Sequence, residues 1–268
     1  MTVTERATIS LMSARAHKPM PTWDLSFETT LDRGNAPGRA TRELLMTTAE
    51  RLLADRGVQG VSLREIGLAA GQRNNNVIAY HFGDRAGLVG AIYAFRSERI
   101  DNRRFELLAE LGGGGAAADL HTLLRIVVQP HAETIADPDN HFLGLLARLM
   151  LDVGSIATSE SASAKPFTRA LHLLRERIRV QVVGISTAVF DRRFDMLFNF
   201  AITEMAVQKR LGEAGGNTPP DSAFDEVIDD VVAIMAAGLT APPSGLGGRS
   251  RVMHGVGGDG APGRWRGR

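Results

Sequence analysis

Arg73-Asn74-Asn75-Asn76 concentrates side chains that can read a nucleic acid within four consecutive positions. An Asn amide offers a donor and an acceptor that pair bidentately with adenine N6 and N7, and an Arg guanidinium does the same with guanine O6 and N7. Asn also caps helices and tolerates turn backbone, so for Asn74 capping and base contact stay equally open. Asn76 is expected inside a helix, where Asn is a poor former, which favours a polar role. Arg85 is expected in the first turn of the next helix, where the macrodipole disfavours a cation and a nearby phosphate would offset that. Arg39 is expected ahead of the first helix.

Catalytic patterns are missing from the sequence. It has no Cys, which removes thiol nucleophiles, disulfides and Cys-based metal sites. His121, His131 and His141 recur every ten residues, a spacing that puts no two on adjacent turns of one helix face. Metalloprotease, nucleophile-elbow and phosphate-loop patterns do not occur. No catalytic residue, metal site or cofactor is expected.

Elements able to position the Arg-Asn run are visible on both sides of it. Leu45, Ala49, Leu52 and Leu53 lie at i, i+4, i+7 and i+8, with Gly57 as a stop. Ser62-Leu63-Arg64-Glu65 is a capping box opening a short helix that ends at Gly71. A second short helix carries Asn76 to Phe82, and Asp84 caps a longer one that starts at Arg85. Two short helices joined at a glycine between longer ones have the arrangement of a helix-turn-helix. Gly67 and Ala70 would let them cross closely, with Ile66, Val77 and Ile78 filling the space between.

Helical spacing continues downstream. The helix from Arg85 reaches Leu111 and meets four glycines, Gly112 to Gly115, the best candidate linker. Stripes follow at Leu120 to Val128, ending near Pro130, then at Phe142 to Met150, Phe167 to Val182, Phe190 to Met205 and Phe224 to Met235. No strand-type alternation is evident. The predicted fold is all-α, with about nine helices: a three-helix helix-turn-helix domain followed by a larger helical domain. The predicted organisation is an arm over 1–38, the helix-turn-helix over 39–84, the larger domain over 85–240 and a disordered Gly/Arg-rich tail over 241–268.

Charge is nearly balanced, with a net of +1 over 268 residues. The tail holds five Arg against one Asp, leaving the rest mildly acidic. From Arg39 to Arg85 seven Arg oppose five acidic residues, so non-specific affinity for nucleic acid should be modest. No apolar run approaches the roughly 18 residues of a membrane span, and charges interrupt any N-terminal apolar stretch. A cytoplasmic location without membrane association is the expectation.

The run from Arg39 to about Ile92, a fifth of the chain, resembles the DNA-binding domain of the TetR family of bacterial transcription regulators. Ala49-Glu50-Arg51-Leu52-Leu53-Ala54-Asp55-Arg56-Gly57, Ser62-Leu63-Arg64-Glu65-Ile66 and Ala69-Ala70-Gly71 carry the likeness. Tyr80-His81-Phe82-Gly83-Asp84-Arg85, followed by Leu88, is its most specific piece. Gly67 and Gln72 depart from the family pattern, and the stretch 72–76 is one residue longer than its commonest spacing.

The resemblance implies a homodimer that binds a double-stranded operator, normally an inverted repeat, and a small-molecule effector that releases it. DNA contacts would then come from Arg39, Ser62, Arg64, Arg73, Asn74, Asn75, Asn76, Tyr80, His81 and Arg85, with Tyr80 and His81 near phosphates. An effector cavity would lie among helices holding Leu124, Phe142, Phe167 and Leu197, with Leu146, Met150 and Leu171 beside them. Arg148, His172 and Asn199 are the polar groups available there. The last two helices would form the dimer interface through Phe198, Met205, Val231, Ala233, Met235 and Ala237. The alternatives are a ligand-independent DNA-bridging protein and an all-helical enzyme.

Overall fold

The computed structural model describes residues 36–74, 76–112, 118–153, 168–215 and 221–242. These form nine helices and no strand: α1 (Ala36–Arg56), α2 (Leu63–Ala69), α3 (Val77–Phe82), α4 (Arg85–Gly112), α5 (Leu120–Ala132), α6 (Phe142–Val153), α7 (Arg169–Gln181), α8 (Thr187–Gly215) and α9 (Asp221–Thr240). The all-helical expectation therefore holds for the described residues. Asn75, Phe167, the segment 113–117 that holds the rest of the glycine linker, most of the arm and residues 243–268 lie outside them.

α1 buries Leu45, Ala49 and Leu53 on one face. It ends where the Gly57 amide bonds the Leu53 carbonyl at 2.9 Å with φ of +80°, a conformation that costs a side-chain-bearing residue but not glycine. Its start differs from expectation: Arg39 sits inside the first turn instead of ahead of it, because Pro37 has a φ already suited to a helix start. The capping box is present in full. The Glu65 amide donates to Ser62 Oγ at 3.1 Å, and the Ser62 amide donates to Glu65 Oε2 at 2.7 Å. α2 then packs on α1, and α3 on α2 and α4, with Ile66, Val77 and Ile78 buried. A Cβ on Gly67 would meet Val77 Cγ1 at 3.6 Å, an ordinary contact, so α2 and α3 touch there without requiring a glycine.

The remaining helices share one continuous apolar core with this unit. α5 packs along α9 and α7, α6 along α8, and α8 along α9. α5 continues two residues past Pro130, where the stripe was expected to end. A proline in the last turn removes only one donor, and burial of His131 and Ala132 holds that turn against the core.

The two halves are not joined by α4 alone. α1 lies extensively along α6. Gly144 is opposite Ala54, where an added Cβ would sit 3.3 Å from the alanine methyl, and Arg148 Nε and Nη2 donate to the carbonyls of Ala54 and Asp55 at 2.6 and 3.0 Å. Those are carbonyls of the last turn of α1, which a helix leaves without partners of its own. Glu50, buried on the same helix, pairs with Arg96 of α4 and accepts the His141 amide that precedes α6.

Candidate nucleic-acid interface and cavity

α3 is only six residues long, and its polar side faces outward. Val77 and Ile78 point into the core, while Asn76, Ala79 and Tyr80 are exposed, Tyr80 by 83%. Its ring is left open to solvent apart from an edge contact with His81. Arg64 on α2, Arg73 ahead of α3 and Arg39 on α1 are exposed as well.

The Asn run resolves into distinct roles. Asn74 Oδ1 accepts the Asn76 amide at 2.9 Å, closing a side-chain turn. Asn76 is the N-cap of α3, not an interior residue as expected. The Asn74 turn already bonds its amide, and its own side chain makes no capping bond, so its carboxamide is directed to solvent. Ser62 differs: its Oγ is occupied as the acceptor of the α2 cap.

Two expected phosphate contacts have other duties. Arg85 Nη1 donates to the Val58 carbonyl at 2.6 Å, bracing the turn after α1, and its side chain is half-buried. That bond is what offsets its unfavourable place in the first turn of α4. His81 is half-buried between the Tyr80 and Phe82 rings, with centroids 4.9 and 6.0 Å away. Burial, and secondarily the Arg42 charge, push its pKa below the ordinary value, which favours the neutral ring. Arg42, absent from the expected set, stacks on Phe82 at 4.4 Å and donates to the His81 carbonyl, fastening the end of α3 to α1.

A small cavity of about 20 Å³ lies between α4, α5, α6, α7 and α8. Leu146, Met150 and Leu171 line it as expected. Other expected residues are elsewhere. Leu124 and Phe142 are sealed in the core, and His172 is exposed. Arg148 is committed to α1, and Leu197 packs against Gly238, where a Cβ would come within 2.9 Å of it. Asn199 does not line the cavity, and its Oδ1 is buried without a partner.

The polar wall was missed by sequence reasoning. Tyr93, Ser97, Ile100 and Arg104 follow at i, i+4, i+7 and i+11 along α4, and His131 adds to them from α5. An Arg on an otherwise buried stripe was the available signal, but the partner side chains come from other helices. Arg104 is buried and donates through Nε and Nη2 to the Val127 carbonyl at 3.2 and 2.8 Å. Nη2 also lies 3.1 Å from His131 Nε2.

The expected interface residues need a correction as well. Phe198, Met205, Val231 and Met235 are buried in the chain's own core, with Phe198 also lining the cavity. Ala233 and Ala237 are exposed. The outer face of α8 instead carries Met196, Phe200, Val207 and Leu211, and that of α9 adds Ile234. Among the described residues, no group of three or more His, Asp or Glu is placed to hold a metal, and no helix is long and apolar enough to cross a membrane.

No protein-family model matches the chain, and neither does any curated protein. Solved structures do show similarity. One is a candidate TetR-family transcriptional regulator from Mesorhizobium loti, with 16% identity over 76% of this chain and 98% of that one and a TM-score of 0.41. Another is a TetR-family regulator from Streptomyces coelicolor, with 16% identity over 77% and 99% and a TM-score of 0.38.

Proposed function

We propose that this protein is a ligand-responsive, DNA-binding transcription regulator that works as a homodimer and represses from an inverted-repeat operator until an effector binds. The carrying observation is the outer side of α3: the Asn76 carboxamide at its N-cap and an 83% exposed tyrosine, with Arg64 and Arg73 exposed on the chain that leads into it, on a helix whose inner side is locked into a capped helix-turn-helix. Nothing in the chain's own stability calls for that set of side chains to be exposed together. The likeness of Tyr80-His81-Phe82-Gly83-Asp84-Arg85 to the TetR motif supports the same reading.

Dimerisation is supported by the apolar outer face of α8 and α9, on which a two-fold partner would build a four-helix bundle. Effector response is supported by α6, which lines the cavity through Leu146 and Met150 and grips α1 through Arg148. A ligand shifts such an equilibrium only by its differential affinity for the two states, typically about 1–3 kcal/mol.

Selection from a randomised duplex library tests the reading. Enrichment of an inverted repeat, with half-sites about 34–36 Å apart or a multiple of that, is the expected outcome. Binding without sequence preference would favour a bridging protein, and no binding at all would overturn the proposal.

A further inference from the structure

His131 brings an unpaired donor to the small cavity between α4 and α8. It is 4% exposed, and its Nδ1 has no hydrogen-bond partner among the described residues. Its Nε2 lies 3.1 Å from Arg104 Nη2. A guanidinium has donors only, so Nε2 is the acceptor and the proton of the neutral ring is on Nδ1. Burial and the Arg104 charge hold the His131 pKa well below its ordinary value, which keeps the ring neutral near neutral pH. A buried donor without a partner is costly enough to be rare in folded proteins.

The space beside it is small, enclosed and polar on one side. It offers about 20 Å³ to the centre of a water-sized molecule, and every residue that lines it is buried. A water molecule needs roughly 10–15 Å³ of such space and about two to four polar partners. Tyr93, Ser97 and Thr168 bring hydroxyls to the wall that His131 shares. Tyr93 and Ser97 hydrogen-bond each other, which still leaves lone pairs on both oxygens. The Arg104 charge is balanced by Asp101, itself buried and 3.9 Å away, so the wall selects neither an anion nor a cation.

We propose that the cavity holds one internal water molecule, which accepts from His131 Nδ1 and donates to hydroxyl oxygens of Tyr93, Ser97 or Thr168. Water is the group of this size that can do both. An ammonium ion has donors only and cannot accept from the imidazole. A halide needs a net positive charge that the Arg104–Asp101 pair does not leave, and an apolar gas would strand the imidazole donor. The water bridges α5 to α4, or to Thr168 at the start of α7, inside the larger helical domain. This goes beyond the regulatory reading and does not depend on it, since it holds whether or not the chain binds DNA.

Magnetic relaxation dispersion of the solvent, which counts long-lived internal waters, tests this on the purified full chain. The parent should hold one more such water per chain than His131→Phe, which keeps a ring and removes the donor. Ser97→Val leaves the His131–Arg104 pair in place, removes an acceptor and fills part of the space. It should lose the same water even if His131→Phe proves unstable. Nitrogen NMR of the His131 ring should find the proton on Nδ1 and in contact with water protons, and a crystal structure of the parent should show one water oxygen beside Nδ1. Equal water counts in the parent and both variants, a ring protonated on Nε2, or a parent crystal with no water oxygen beside Nδ1 would each overturn the proposal. None of these outcomes bears on operator selection, so the regulatory reading stands or falls separately.

Discussion

Glu50 and Arg96 form a two-point ion pair inside the protein: Arg96 Nε donates to Oε2 at 2.7 Å and Nη2 to Oε1 at 3.0 Å. Oε1 also accepts the His141 amide at 2.8 Å, so one carboxylate ties α1 to α4 and to the start of α6. Taking one member from a buried pair strands the other charge. Arg96→Met should cost about 3–5 kcal/mol of stability. The double variant Glu50→Leu/Arg96→Met, which strands neither, should lose clearly less. Denaturant unfolding of both decides it, and equal losses would mean the pair is not the origin of the effect.

Base readout is expected to centre on Asn76. Asn76→Ala should cost about 1–3 kcal/mol on the preferred operator and flatten preference at one position per half-site. Tyr80→Ala should weaken every sequence alike and change the melting temperature little, since the ring is 83% exposed and only edges against His81. A uniform loss for Asn76→Ala, measured on a randomised operator, would mean that α3 does not enter the major groove by its N-terminus.

Arg85→Ala is expected to act on two levels. Losing the bond to the Val58 carbonyl should lower stability by about 1–3 kcal/mol. Operator binding should fall with it, through the displaced turn between α1 and α2. If the variant binds DNA weakly but melts like the parent, Arg85 contacts phosphate directly and its bond to Val58 is dispensable.

The outer face of α8 is expected to hold the dimer together. Met196→Glu with Phe200→Glu should give folded monomers by sedimentation, and Ala233→Glu with Ala237→Glu should do the same from α9. The conservative pair Met196→Leu/Phe200→Leu should remain dimeric. Dimers that persist in both charged variants would place the interface on another face.

Stability should depend on the protonation of His131. Its folded pKa is depressed by burial and by Arg104, whereas the unfolded chain takes up a proton near pH 6.5. Its contribution is therefore complete above that pH and is lost as pH falls, by up to about 1.4 kcal/mol per pH unit. The groups around it are Arg104 and, behind that, Asp101 from α4, with Phe198 from α8. His81, also depressed, adds a smaller effect of the same sign. His131→Phe should flatten the curve between pH 5 and 7, and an unchanged slope in thermal melts would contradict this.

Periodicity and capping made most of the helices legible, because Leu45, Ala49 and Leu53 or Phe190 and Phe194 carry a spacing that only one backbone satisfies. The start of α3 was harder. Gln72 to Asn76 has no apolar period, and whether Asn76 caps or lies inside depends on the Asn74 turn, a bond between neighbours rather than a pattern. α8 misled for a different reason. It is apolar on two sides, with Phe194, Phe198 and Met205 inward and Met196, Phe200 and Leu211 outward, and a stripe does not say which side has a partner. The cavity's polar wall was the least legible, since Arg104 and His131 are 27 residues apart and become neighbours only once α4 and α5 pack.

The grip of Arg148 and Glu50 on α1 has a consequence for anyone cutting the protein into modules. A splice at Asp84, the boundary that the motif suggests, would carry α1 away without the surface that covers Ala54 and without the partner of a buried carboxylate. Grafting this N-terminal unit onto another body should succeed only if Arg96, His141, Gly144 and Arg148 travel with it or are rebuilt in the recipient. The transplantable unit is α1 to α4 plus one face of α6, a discontinuous piece of chain.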